Sequence, residues 1–127
     1  MNIRLRVLPD RFAVCRLGPF DEVPSWARGD VVSTTRTSDE LSIVCSEQAV
    51  PPSVRAERGW RCLMVEGPIP FETTGIAAAI TSPLAAAAIS LFFLATFDTD
   101  YVFVKEAVFQ RAIEALRVAG CVVLSDS

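Results

Sequence analysis

An α+β fold is what this 127-residue sequence predicts, and three observations carry the prediction. Residues 60–125 alternate apolar strand patterns with two stretches of helical spacing. The first half repeats part of that pattern on a smaller scale. Hydrophobic residues make up 51% of the chain, enough for a buried core in one compact domain or two small fused lobes.

Taken in order, residues 3–7 and 12–17 read as strands flanking a Pro9-Asp10 turn. Gly18-Pro19 and Pro24 then break the pattern, and residues 23–28 have room for one or two helical turns. Residues 31–35 and 41–44 are the next strands. Residues 46–59, with Pro51-Pro52 and mixed charges, form the linker candidate, and its shortness predicts lobes that pack together. GWRCLMVEG then reads as a strand and TTGIAAAITSPLAAAAIS as a helix. LFFLATF and TDYVFV follow as two strands joined through Asp98-Thr99, before the helix VFQRAIEALRVAG and the strand CVVLSDS. In that second helix Phe109, Ala112, Ile113 and Leu116 recur at three- and four-residue spacing. Glu106, Gln110, Arg111, Glu114 and Arg117 fill the other face, which reads as solvated, and Gly120 ends the helix. This order is the ferredoxin-like β-α-β-β-α-β unit, which by itself implies no function.

Residues 73–97 carry no charge and match a membrane span in length. Eight of them are alanine, Pro83 interrupts them, and the spacing changes along the segment. Ile76, Ile80 and Leu84 recur every fourth residue, whereas Leu91-Phe92-Phe93-Leu94 is a continuous run. A buried helix feeding a central strand is the expectation, and no membrane partner. The expected core is Leu63, Val65, Ile76, Ile80, Leu84, Leu91, Phe93, Val102, Val104, Ile113 and Leu116.

Composition excludes several functions. Net charge is −3 and the twelve basic residues are scattered, so no nucleic-acid surface is expected. With no histidine, Ser-His-Asp and Cys-His nucleophiles and His-based zinc sites are absent. Cysteines 15, 45, 62 and 121 form no C-x-x-C pair and sit in apolar strand patterns, so they read as reduced, buried small hydrophobes. The start MNIRLRVLPD has charges where a signal peptide would be apolar, which points to the cytoplasm.

The segment with functional chemistry is the start of the first long helix together with the turn after the following strand. Thr73-Thr74-Gly75 offers a hydroxyl N-cap and a glycine that lets a ligand approach the backbone. The first N–H groups of a helix lack internal partners and suit a carboxylate. In the expected topology the turn at residues 96–100 returns to that end, where Asp100 faces an ammonium. The plainer reading is that Thr74 caps the helix and Asp98-Thr99 turn the chain.

Residues 59–106 also carry a specific set of motifs. These are V-x-G at Val65, F-x-x-x-G-I at Phe71, a mid-helix Pro83-Leu84, Ile89-Ser90, the T-F-D-T-D turn from Thr96, and a strand ending Val104-Lys105-Glu106. In these the chain resembles ACT domains of the subgroup found in aspartokinases and in the cytosolic arginine sensors of animals (the CASTOR proteins). STTRTSDELSIVCSE repeats the logic of LATFDTDYVFVKE, with Glu40 and the apolar strand after it matching Asp100 and its strand. The resemblance therefore implies two tandem ferredoxin-like (βαββαβ) ACT lobes with antiparallel sheets, an abbreviated one at 1–58 and a full ACT domain at 59–127.

What the resemblance implies about a site is a ligand held between two ACT domains. The matching positions are Thr96, Phe97 and Asp100 in the turn, Thr73, Thr74, Gly75 and Ile76 at the helix start, and Val65 and Glu66 from a facing domain. The chain departs from the arginine sensors at Thr73, where they carry a glutamate for the guanidinium; Glu72 is the neighbouring carboxylate. An amino acid is thus implied as ligand, without arginine being singled out. The sensors carry four ACT domains and this chain two, which implies a homodimer.

The expectation is a non-catalytic, cytoplasmic amino-acid sensor that regulates a protein partner and needs no cofactor or metal. Two other readings stand beside it: an assembly module whose ligand site is empty and vestigial, and a small enzyme using Asp98 and Asp100 as a carboxylate pair. Ligand-induced stabilisation separates the first two, and turnover identifies the third.

Overall fold

The computed structural model describes residues 2–70 and 73–125, so Glu72 lies outside the described residues. The elements are β1 (Arg4–Leu17), β2 (Ser33–Arg36), β3 (Leu41–Ser46), β4 (Ala56–Val65), α1 (Ile76–Ala86), β5 (Leu91–Ala95), β6 (Asp100–Lys105), α2 (Phe109–Val118) and β7 (Val122–Leu124). Short 3-10 turns occupy Glu47–Ala49 and Glu106–Val108. The chain divides into two compact units, Met1–Pro9 with Arg61–Ser127 and Asp10–Trp60.

The larger unit is the α+β, ferredoxin-like one. Its strands lie in the order β7-β1-β4-β6-β5, with residues 4–9 supplying β1. Alternation along each strand turns one set of side chains toward the helices. Leu5 and Val7, Leu63 and Val65, and Val102 and Val104 pack with Ile80 and Leu84 of α1. Phe109, Ala112, Ile113 and Leu116 of α2 complete that core, so the apolar face read from the sequence is the buried one. Ile76, Leu91 and Phe93 are partly buried at its margin, and the other eight expected core residues are buried. The uncharged stretch is broken as expected, into α1, a short connection and β5. No helix among the described residues is long and apolar enough to cross a membrane.

Helix ends follow their local chemistry. Past α2, Gly120 takes φ 100° and donates to the Arg117 carbonyl at 3.0 Å, while Cys121 N–H reaches the Leu116 carbonyl at 3.0 Å. Past α1 the same pair of bonds recurs, but Ala88 occupies the left-handed position at φ 58°.

Two expectations differ from the structure in the larger unit. Pro9-Asp10 is no turn, because β1 runs unbroken for 14 residues from Arg4. Proline removes one ladder donor but its fixed φ suits extended backbone, so a strand can pass through it. Residues 1–9 consequently belong to the same unit as residues 61–127, where a boundary at 58/59 was expected to leave them in the first lobe. Their apolar side chains decide this: Ile3, Leu5 and Val7 are buried in the α1–α2 core. The β1–β3, β2–β3 and β5–β6 pairs are antiparallel, and the short β7–β1 pair is parallel, Arg4 opposite Val122.

The smaller unit has no α-helix among its described residues. Residues 23–28 make only a turn, Ala27 N–H to the Pro24 carbonyl at 3.1 Å, where one or two helical turns were expected. Its core is Ala13, Cys15, Leu41, Ile43, Cys45 and Val50. The expected linker at residues 46–59 is partly structured, since β4 begins at Ala56. The β2–β3 and β5–β6 hairpins close alike: Thr37 N–H reaches the Glu40 carbonyl and Thr96 N–H the Thr99 carbonyl, both at 2.9 Å.

All four cysteines are free and buried. Burial pushes each thiol pKa upward; for Cys45, burial and then the neighbouring Cys15 raise it to about 11. Neutral thiols of this kind are poor nucleophiles.

Candidate ligand-binding site

The turn at residues 96–99 is held by threonine chemistry. Thr96 accepts the Thr99 N–H on its hydroxyl at 3.2 Å and donates that hydroxyl to the Thr99 carbonyl at 2.9 Å. Thr99 is 8% exposed, and its hydroxyl donates to the Val65 carbonyl at 2.5 Å, fastening the turn to the end of β4. The Ile69 N–H donates to the Asp98 carbonyl at 2.8 Å. At Gly67 an added Cβ would meet Ile69 N, Asp98 O and Thr99 Cβ at 3.1–3.2 Å, so a side chain here would push the adjoining backbone back by a few tenths of an ångström. Asp100 then opens β6 opposite Ala95.

Gly75 is the N-cap of α1, at φ 84° and ψ −3°, with no side-chain cap. The hydroxyl cap expected from Thr74 is therefore absent. The left-handed backbone at position 75 is open to glycine and strained for other residues, so the helix starts one residue later and without a threonine lid. Its first ladder bond is Ala79 N–H to the Gly75 carbonyl at 3.0 Å. The N–H groups that precede it carry the partial positive charge of a helix start.

Turn and helix start line one open cleft of about 220 Å³. Of the nine site residues expected from the sequence, Thr73, Gly75, Ile76, Thr96, Phe97 and Asp100 line it. Thr74 does not appear on its wall. Sequence reasoning missed Ile69, Pro70, Ala77, Ala95 and Thr99, which also line it. The Gly67-Pro68 break before Ile69 was the available signal, since it turns the chain back beside the 96–99 turn. The cleft thus carries a partial positive charge at the helix start and a carboxylate at Asp100.

Val65 and Glu66 are not on that wall. Val65 lines a second cleft of about 380 Å³ with Met64, Gly67, Pro68, Asp98, Thr99 and Tyr101. The Glu66 carboxylate lies 3.4 Å from both Arg4 and Arg6. Asp98 and Asp100, considered as a catalytic pair on one strand face, line different clefts, because Asp98 belongs to the turn and Asp100 to β6. Among the described residues, no three of Cys, Asp and Glu gather as metal ligands.

A ferredoxin-like α+β unit with a small open cleft at one helix start defines a fold class rather than one protein. The family model of the ACT domain matches residues 55–118, and a second model, of an N-terminal domain, matches residues 10–53. The chain belongs to the ACT domain family. Cytosolic arginine sensor for mTORC1 subunit 1, from Homo sapiens and Bos taurus, is 41% identical over 59 residues. That match covers 46% of this chain and spans only 18% of those relatives. A crystal structure of a protein from Agrobacterium tumefaciens aligns with TM-score 0.94 and 37% identity, over 100% of this chain and 96% of that one. The regulatory subunit of aspartate kinase from Thermus thermophilus, at 11% identity, shares the fold alone, with TM-score 0.64 over 91% and 96% of the two chains.

Proposed function

We propose that this chain is a non-catalytic regulatory protein that binds a small α-amino acid in the cleft between the start of α1 and the 96–100 turn. The observation that carries the reading is the meeting of opposite charges in one small cleft. Backbone N–H groups of Gly75, Ile76 and Ala77 would receive the carboxylate and Asp100 the ammonium. The sequence led to Thr74, Gly75 and Ile76 as donors; Ala77 replaces Thr74 here because Thr74 stands just before the N-cap. The sequence likeness to an arginine sensor supports the amino-acid class.

The reading includes a cytoplasmic homodimer that acts on a protein partner, without a cofactor or metal. In it the two lobes are tandem ACT repeats, and Val65 and Glu66 of one copy face the turn of the other. Their present engagements leave this open, since a carbonyl accepts two hydrogen bonds and an ion pair at 3.4 Å can exchange partners. Thr73 lines the cleft where a guanidinium-binding carboxylate would be needed, so arginine is not the preferred ligand unless Glu72 turns inward.

Thermal denaturation in the presence of each of the twenty amino acids tests the reading. A ligand that binds only the folded state raises apparent stability by about 2.7 kcal/mol at a hundred times its Kd. At least one amino acid should raise Tm. No shift with any of them favours the vestigial-site, assembly-module reading.

A further inference from the structure

We infer that the cleft selects an amino acid with an uncharged, aliphatic side chain; this rests on the amino-acid-binding reading above and refines it. The inference comes from what remains of the wall once the two ends of the ligand are assigned. Asp100 is the sole ionisable group on the described lining and is taken up by the α-ammonium. The surfaces left are Ile69, Pro70, Ile76, Ala77, Ala95 and the exposed ring of Phe97, with threonine hydroxyls at the margin.

Ile69 and Ile76 are more than lining. Both are partly buried hydrophobics packed against the main core, so the cleft floor is continuous with it. Ile69 is fixed to the turn bearing Asp100 by its N–H bond to the Asp98 carbonyl at 2.8 Å. Ile76 is the first residue of α1, beside the helix-start N–H groups. An apolar side chain entering between them would cover surface the core leaves half-exposed. A charged one would leave water for a wall with no second counter-charge among the described residues, which is unfavourable. At about 220 Å³ the cleft is also below the roughly 300–1,000 Å³ of sites for larger ligands.

Calorimetric titration of the unmodified chain with glycine, alanine, valine, leucine, lysine, arginine, aspartate, glutamate and glutamine tests this. Affinity should rise from glycine to leucine by roughly four-fold per added methylene, and the charged and amide members should bind at least about ten-fold more weakly than leucine. An Ile76→Thr variant should lose leucine affinity while holding that for alanine. Tighter binding of a charged or amide amino acid than of valine or leucine overturns the inference and leaves the amino-acid reading standing. Binding by none of the series overturns both.

Discussion

Asp100 is the residue on which the chemistry of the cleft turns, because it supplies the carboxylate opposite the helix start. Asp100→Asn keeps the shape and removes the charge. A hydrogen bond to a charged group is worth about 1.5–3 kcal/mol, so amino-acid affinity measured by calorimetry should fall roughly ten- to a hundred-fold. The denaturation midpoint without ligand should stay unchanged. Gly75 is the second decisive position. Gly75→Ala places a side chain at φ 84°, which costs about 1–2 kcal/mol of stability, measurable by urea titration. At this scale the sequence was readable where residue type dictates chemistry: an acid and a glycine are visible as letters. Ile69, Ala77 and Thr99 were not, since only the folded path of residues 67–70 against the turn brings them to the wall.

Among the elements, the two helices carry the core, and their buried leucines set the main energetic test. Leu84 and Leu116 are both 0% exposed. Leu84→Ala or Leu116→Ala should therefore lower unfolding free energy by about 2–5 kcal/mol in chemical denaturation. Ala88→Gly should do the reverse, by about 0.5–1 kcal/mol, because glycine relieves the left-handed φ of 58° and gives back part of that gain in chain entropy. Cys45 adds a pH dependence. Its thiol pKa is raised in the fold from 9.0 to about 11, so the neutral form is the favoured one. That contribution is complete below about pH 9 and is lost as pH rises toward 11, and the midpoint should fall over that window. The helices and β5–β6 were legible because periodicity and turn residues agree there. The break placed at Pro9 was not in the chain, because a proline letter does not say whether strand or turn surrounds it. That residues 3–7 serve the larger unit is a long-range fact, fixed by packing against α1 and α2.

At the scale of the whole molecule, the proposed pairing of two copies of this ACT-domain chain is open to direct measurement. Light scattering should give twice the chain mass at micromolar concentration, and a monomer at high micromolar concentration would count against the paired site. The β2–β3 and β5–β6 hairpins are both closed through a threonine, before strands that start at Leu41 and Asp100. A crystal structure of the chain with its tightest amino acid tests the central claim most directly. The account predicts the ligand in the cleft between α1 and the turn, its carboxylate on the N–H groups of Gly75, Ile76 and Ala77 and its ammonium within hydrogen-bond reach of Asp100. A ligand lodged instead beside Tyr101 in the second cleft, or no amino acid bound at saturating concentration, would contradict it.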